Sequence, residues 1–235
     1  MADAESLPVV LVPGLTCTAR LYAEQIPALW QFGPVTVADH RRDDSMAAIA
    51  RRILAAAPPR FALAGLSMGG YIAFEIMRQE PKRVVKLALL DTGARPDSPE
   101  QIERRRVLMA LAKAGRYAEI PEQAFPVYVH RNRRDDAALK EVVCEMAEAT
   151  GAEAYLRQQQ AILSRPDSRP GLGAISCPTL VLVGEGDEAT PPELAREIAA
   201  GIAGSRLVLI ADSGHLSTLE RPAAVTQALS EWLRP

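Results

Sequence analysis

Hydrophobic positions along the chain follow two rhythms. Short apolar runs at residues 7–12 (LPVVLV), 35–38 (VTVA), 61–64 (FALA) and 84–90 (VVKLALL) read as strands buried on both faces. Glycine, proline or charge bounds most of them. Longer amphipathic stretches at 20–32, 45–57 and 68–80 lie between them and read as helices. Pro27 interrupts the first stretch, Pro58 and Pro59 stop the second, and Pro81 stops the third. Strand alternating with helix at this spacing requires crossover connections, and right-handed crossovers build a parallel sheet.

From about Pro96 to Pro170 the strand rhythm disappears. Residues 101–114, 135–150 and 152–164 read as helices, and Pro121 and Pro126 are expected to break the intervening stretch into short pieces. The first rhythm then returns. Residues 179–183 (TLVLV) and 207–211 (LVLIA) read as strands, 191–203 and 221–233 as helices, with Pro222 suitably near the start of the last. The pattern predicts one α/β domain, formed by 1–95 and 171–235 and interrupted by a helical insertion at 96–170.

Composition narrows the function classes. With 235 residues, 48% of them hydrophobic and 24% charged, the chain can bury a core without staples and is not a disordered sequence. A net charge of −2 gives no global attraction to nucleic acid or to an anionic membrane. Two basic clusters, Arg104 to Arg106 and Arg131, Arg133 and Arg134, do not change this. Residues 96–170 hold twelve basic and twelve acidic side chains, so both clusters are expected to be solvated helix faces. Cys17, Cys144 and Cys177 are odd in number and have no short pairing spacing, which argues against disulfides and zinc and for the cytoplasm. The acidic start at residues 1–5 is unlike a secretory signal, and the uncharged run 61–74 is shorter than a membrane span.

The chemistry starts at Gly65-Leu66-Ser67-Met68-Gly69, directly after one expected strand and directly before an expected helix. A serine hydroxyl becomes a useful nucleophile when it is held rigidly beside a base, clear of neighbouring bulk. A sharp strand-to-helix turn does this, with glycines where a Cβ would collide. The base must come from His40, His130 or His215. His40 and His215 both follow strands and so share the rim on which Ser67 emerges. Chain order favours His215, because the order nucleophile, acid, histidine leaves it alone beyond every candidate acid. His40 and His130 read as surface or supporting histidines. Among the acids, Asp187 in Gly184-Glu185-Gly186-Asp187 is favoured, with Asp91 as the alternative, read as a loop anchor or helix cap; Glu185 and Glu188 read as solvated loop acids.

These residues resemble the α/β-hydrolase superfamily nearly end to end. Gly65 to Gly70 looks like its nucleophile elbow, Gly184 to Asp187 is similar to its acid loop, and Ser213-Gly214-His215 to its histidine loop. Within the superfamily the likeness is to small bacterial esterases and to 3-oxoadipate enol-lactonases. The resemblance implies an α/β-hydrolase fold whose first two N-terminal strands are lacking, which leaves a mostly parallel sheet of about six strands. It also implies that 96–170 is the cap, or lid. The oxyanion hole would come from the backbone N–H groups of Leu15 and Met68. Pro13 stands where the family has a histidine before Gly14, which leaves open what anchors that loop.

The implied activity is that of a serine carboxylesterase with the triad Ser67, Asp187 and His215, acting through an acyl-enzyme on small or broad-range esters, polyester chains included. Lactone, enol-lactone or C–C bond hydrolysis is the alternative within the enzymes, and a ligand-binding receptor is the non-enzyme alternative. No cofactor and no metal is expected. The expected partner is a small-molecule ester, with no nucleic acid or membrane, and the chain is expected to be a monomer or homodimer. Leu108, Met109, Phe125 and Val129 are candidates for the pocket wall. A lactonase for an anionic substrate would set an arginine, Arg41 or Arg131, facing the cleft.

Overall fold

The computed structural model describes residues 6–234; the acidic stretch 1–5 lies outside the described residues. Six strands form one sheet: β1 (Val9–Val12), β2 (Val35–Val37), β3 (Phe61–Leu66), β4 (Val84–Leu90), β5 (Thr179–Gly184) and β6 (Arg206–Ile210). Their order is β2-β1-β3-β4-β5-β6, and every pairing is parallel. The expected strands are all present, with ends shifted by one or two residues. One shift matters: β3 runs on through Leu66, so the chain leaves the strand at Ser67 itself.

The strands are unbroken apolar runs because both faces of the sheet are covered. Val10, Val12, Leu63, Leu87, Leu89, Val181 and Val183 point to one side. There they pack against α2 (Met46–Ala56), α3 (Met68–Gln79) and α8 (Pro192–Gly201). Alternate residues, among them Leu11, Ala64, Leu66, Leu90 and Leu182, meet Leu229 and Trp232 of α10 (Pro222–Leu233) on the other side. Each fully buried leucine contributes about 1.5–3 kcal/mol through removal from water.

Side-chain caps set several helix starts. Ser45 accepts from the Ala48 N–H at 3.3 Å, and Ser98 and Gln101 form a reciprocal capping box at the start of α4 (Pro99–Leu111). Asp136 accepts from the Leu139 N–H at 2.9 Å to open α6 (Ala137–Thr150), which is followed by α7 (Ala152–Leu163). With α5 (Glu119–Tyr128), these helices fill the segment between β4 and β5, where no strand occurs among the described residues.

Two expectations need correction. Residues 20–32 do not form one helix: a 3-10 turn at Ala19–Tyr22 is followed by the single-turn α1 (Ile26–Leu29), with Pro27 in the opening turn of the second piece. Pro121 and Pro126 do not break their stretch, since α5 contains both. Pro121 lies in the first turn, where an N–H has no intrahelical partner, and Pro126 removes one bond near the end of the helix. No helix of the described residues is long and apolar enough to cross a membrane.

The strand order places a switch point. The chain starts at β1, moves outward to β2, and returns on the other side of β1 as β3. Helices therefore leave β1 and β3 on opposite faces, and a crevice opens beyond their C-terminal ends, where open α/β sheets bind ligands. Leu15 follows β1 and Ser67 follows β3.

Candidate active site

Ser67 is the residue between β3 and α3. Its backbone is held at φ 55° and ψ −114°, a left-handed conformation that costs a non-glycine residue about 1–3 kcal/mol. The turn is braced on both sides. The Ser67 N–H donates to the Leu90 carbonyl at 2.9 Å, and the Thr92 hydroxyl donates to the Ser67 carbonyl at 2.8 Å. The glycines are needed for close approach. A Cβ at Gly65 would run into the Gly69 carbonyl, and one at Gly69 into the Val12 carbonyl.

The structure brings Ser67, His215 and Asp187 into one line. Ser67 Oγ is 2.8 Å from His215 Nε2, and His215 Nδ1 is 2.8 Å from Asp187 Oδ2. A carboxylate only accepts, so Nδ1 carries the proton and Nε2 presents its lone pair to the serine hydroxyl. Asp187 is buried and saturated: Oδ1 accepts from the Ala189 and Thr190 N–H groups at 2.8 and 2.9 Å. Oδ2 accepts from the Thr190 hydroxyl at 2.7 Å as well as from the imidazole. Burial alone would lower the pKa of His215, but the charge and hydrogen bond of Asp187, helped by Glu220, outweigh it and raise the pKa above the ordinary value.

Asp91 does not reach the imidazole. It is buried and accepts from the Gly184 N–H at 2.9 Å and from the Ser217 hydroxyl at 2.5 Å, tying β4 to β5 and to α9 (Ser217–Glu220). Burial, with the charge of Asp187 added, pushes its carboxyl well above the usual range. Glu185 and Glu188 stay off the imidazole, and Glu188 pairs with Arg134 at 2.7 Å. His130 lies on the segment after α5 and accepts from the Asn132 N–H at 3.3 Å.

The backbone N–H groups of Leu15, which lines a cavity with Ser67, and of Met68, the residue after it, have no protein acceptor recorded among the described residues. The second opens α3, where the helix dipole is positive. His40 answers the question that Pro13 raised. It is buried, and its Nε2 donates to the Gly14 carbonyl at 2.9 Å. That carbonyl belongs to the same peptide plane as the Leu15 N–H, so the bond fixes the direction of the Leu15 donor. Buried Gln158 of α7 accepts from the Thr16 N–H at 3.2 Å and holds the same loop from the helical insertion.

A cavity of about 80 Å³ contains Ser67, His215 and Leu15, with Val143, Met146 and Ile162 on its apolar wall. A second cavity of about 220 Å³ shares Leu15, Thr16, Arg105, Tyr128 and Ala189 with it and extends along α4 and α5. Cys17 also lines the inner cavity, and burial pushes its thiol to about 12, which keeps it in the unreactive neutral form. Among the described residues no group of three or more His, Cys, Asp or Glu is placed to hold a metal ion.

The expected wall residues are largely displaced. Leu108 lines the second cavity, Phe125 and Val129 belong to the core beneath it, and Met109 lines neither cavity. Both apolar faces of a helix look alike in a sequence, so periodicity did not tell core from cavity. Arg41 is bound to Asp39 at 2.9 Å, and Arg131 lines a separate recess with His130 and Glu185. The arginine in the cleft is Arg105, which corrects the reading of its cluster as a solvated face. Arg106 is 68% exposed, whereas Arg105 is 20% exposed. A signal existed: Arg105 shares a helix face with Ile102, Leu108 and Ala112.

Glu220 was missed because nothing marks it in the sequence. It is buried, and its carboxylate accepts from the His130 N–H at 2.7 Å and the Gly214 N–H at 2.8 Å, so it joins the loop of His215 to the segment that follows α5. Glu220→Ala leaves both N–H groups without a partner. It is expected to cost about 2–5 kcal/mol in urea unfolding. A change below about 0.5 kcal/mol would mean that water replaces the carboxylate freely.

Residues 9–228 match the sequence profile of the alpha/beta hydrolase family. The malate-bound structure of a thermophilic esterase from Thermogutta terrifontis superposes with a TM-score of 0.87 at 34% identity, covering 97% of this chain and 89% of that one. The enol-lactonase of Burkholderia xenovorans superposes with a TM-score of 0.89 at 25% identity, covering 99% and 93%. In sequence, the pimeloyl-acyl-carrier-protein methyl ester esterase of Neisseria meningitidis is 25% identical over 229 residues, 92% of this chain and 88% of the relative.

Proposed function

The chain belongs to the alpha/beta hydrolase family, and from that premise we propose that it is a serine hydrolase that cleaves carboxylic esters through an acyl-enzyme. The observation that carries this reading is the 2.8 Å contact between Ser67 Oγ and His215 Nε2, continued at 2.8 Å to Asp187. Ser67 attacks the ester carbonyl while His215 takes its proton. The Leu15 and Met68 N–H groups receive the negative oxygen of the tetrahedral intermediate. A backbone donor of this kind contributes about 2.7–4 kcal/mol to lowering the barrier. The alcohol leaves with the proton from His215. A water then gives a proton to His215 and attacks the acyl-enzyme; as the acyl–oxygen bond breaks, His215 returns that proton to the Ser67 oxygen and the acid is released. Asp187 keeps the imidazole in the tautomer that accepts from serine and stabilises the imidazolium.

The segment 96–170 acts in this reading as the lid, since α4, α5, α6 and α7 supply much of the wall of both cavities. An inner cavity of about 80 Å³ suits a short group beside the serine and a longer one directed into the second cavity. Opening a lactone uses the same steps with the alcohol still tethered, and the likeness to an enol-lactonase keeps that reaction as the second reading. A receptor role gives no reason for a strained serine aligned on an imidazole.

Ser67→Ala is expected to lower kcat/KM for short-chain 4-nitrophenyl esters by at least about a thousand-fold with folding intact by circular dichroism. Retained turnover would remove the proposal. The pH profile gives an independent check. His215 must be unprotonated to act, and its pKa is raised above the ordinary 6.5, so activity should be lost on the acid side with a midpoint above pH 6.5. Activity that stays level down to about pH 5 would exclude His215 as the base.

A further inference from the structure

Arg105 carries a charge arrangement that the hydrolysis of a neutral ester does not require. Arg105 lines both cavities, so it stands where the compartment of Ser67 adjoins the outer one. It is held in place from two sides. Nε donates to Asp97 Oδ2 at 2.6 Å, and Nη1 donates to Gln159 Oε1 at 2.9 Å. Gln159, itself buried, donates to the Tyr155 hydroxyl at 2.7 Å and is thereby fixed as an acceptor toward Arg105.

Asp97 does not belong to Arg105 alone. Arg165, 7% exposed, donates to Asp97 Oδ1 at 2.7 Å and also to the carbonyls of Ile162 and Arg95 at 3.0 and 3.1 Å. Arg165 therefore takes the oxygen that a two-pronged pair between Arg105 and Asp97 would need. The remaining contact, from Arg105 Nη2 to Oδ1, is 3.5 Å. One carboxylate thus faces two guanidinium groups that cannot give up their charge. One positive charge is left over at the cavity wall. A guanidinium has five N–H donors, and among the described residues Arg105 has two short contacts and one long one.

No nearby acid cancels this charge. Glu188 lines the outer cavity but is paired with Arg134 at 2.7 Å, and Asp187 is saturated behind the imidazole. Arg104 adds a further cation to the outer cavity. Tyr128 runs between the two ends of the space, since its ring centroid lies 5.5 Å from that of His215 and the residue lines both cavities with Arg105. A substrate held at Ser67 and passing Tyr128 meets a fixed, undercompensated guanidinium with donors to spare. Planar, charge-assisted bonding makes a carboxylate its natural partner.

We infer that Arg105 is a carboxylate-binding subsite, and that the preferred substrates are esters or lactones with an anionic carboxylate away from the bond that is cleaved. This rests on the reading of Ser67, His215 and Asp187 as the hydrolytic centre.

The test compares kcat/KM for matched pairs. Monomethyl succinate, glutarate and adipate are set against methyl esters of unsubstituted acids of equal length, and acetyl esters of hydroxy acids against acetyl esters of simple alcohols. The wild type should favour the anionic member in at least one series. Arg105→Gln should lower kcat/KM for that member by about ten- to a hundred-fold, mainly through KM, and the neutral partner by less than about three-fold. Arg105→Lys should fall between them. Parallel losses on both members, or no anionic preference in the wild type, would overturn the subsite while leaving the esterase intact. No turnover of any ester would remove the esterase and the subsite together. If Arg105→Gln does not fold, the wild type decides: free carboxylates should inhibit neutral-ester turnover competitively at fixed ionic strength and more strongly than primary amides of the same shape. Equal inhibition would contradict the subsite.

Discussion

The arrangement depends on one strained residue. At Ser67 the chain turns from a buried strand into a buried helix with no loop between them, and only a left-handed backbone makes that turn. The cost is about 1–3 kcal/mol. It is offset by bonds from Ser67 to Leu90 and from Thr92 to Ser67, and by bare glycines on both sides of the turn. The same turn places the hydroxyl in the cavity and starts a helix at Met68, whose N–H has no protein acceptor recorded among the described residues. In the proposed mechanism, the placement of the nucleophile and the oxyanion donor of Met68 both follow from this single backbone constraint.

The rest of the site is organised by buried acids, each with a separate task. Asp187 orients the imidazole. Asp91 is spent on the Gly184 N–H and the Ser217 hydroxyl, and Glu220 on the backbone of His130 and Gly214. Buried carboxylates are costly unless saturated with donors, so each holds its loop in one geometry. His40 and Gln158 do the same for the Gly14 to Thr16 loop with neutral groups. Because Gln158 and His130 lie on the inserted segment, the site is fastened to that segment as well as to the sheet.

Much of this was legible in the sequence. Continuous apolar runs spaced by amphipathic ones mark a parallel sheet, and the elbow is readable because its glycines fall between such a run and a helix. Places after strands narrow the base to His40 or His215 and the acid to Asp91 or Asp187, and chain order then favours His215. What stayed hidden depends on side-chain direction. Arg105 reads as part of a charge run, although its neighbours on either side, Arg104 and Arg106, are the exposed ones. Phe125 and Val129 face the core, while Leu108 faces the cavity, and a hydrophobic period does not separate these cases. Pro126 ends no helix here, because one lost bond near a C-terminus is cheap beside the burial of Phe125. His40 was hidden by the charged residues that follow it, and its bond to Gly14 is visible only in three dimensions.

The proposed mechanism requires the Ser67 hydroxyl to be activated in the folded protein. A fluorophosphonate probe measures this without any knowledge of the substrate, because it reacts with a serine only when a base and an oxyanion site act on it together. One equivalent of label per chain is expected, mapped by peptide mass to Ser67 and lost on unfolding. An unlabelled native protein, or label on a different residue, would contradict it.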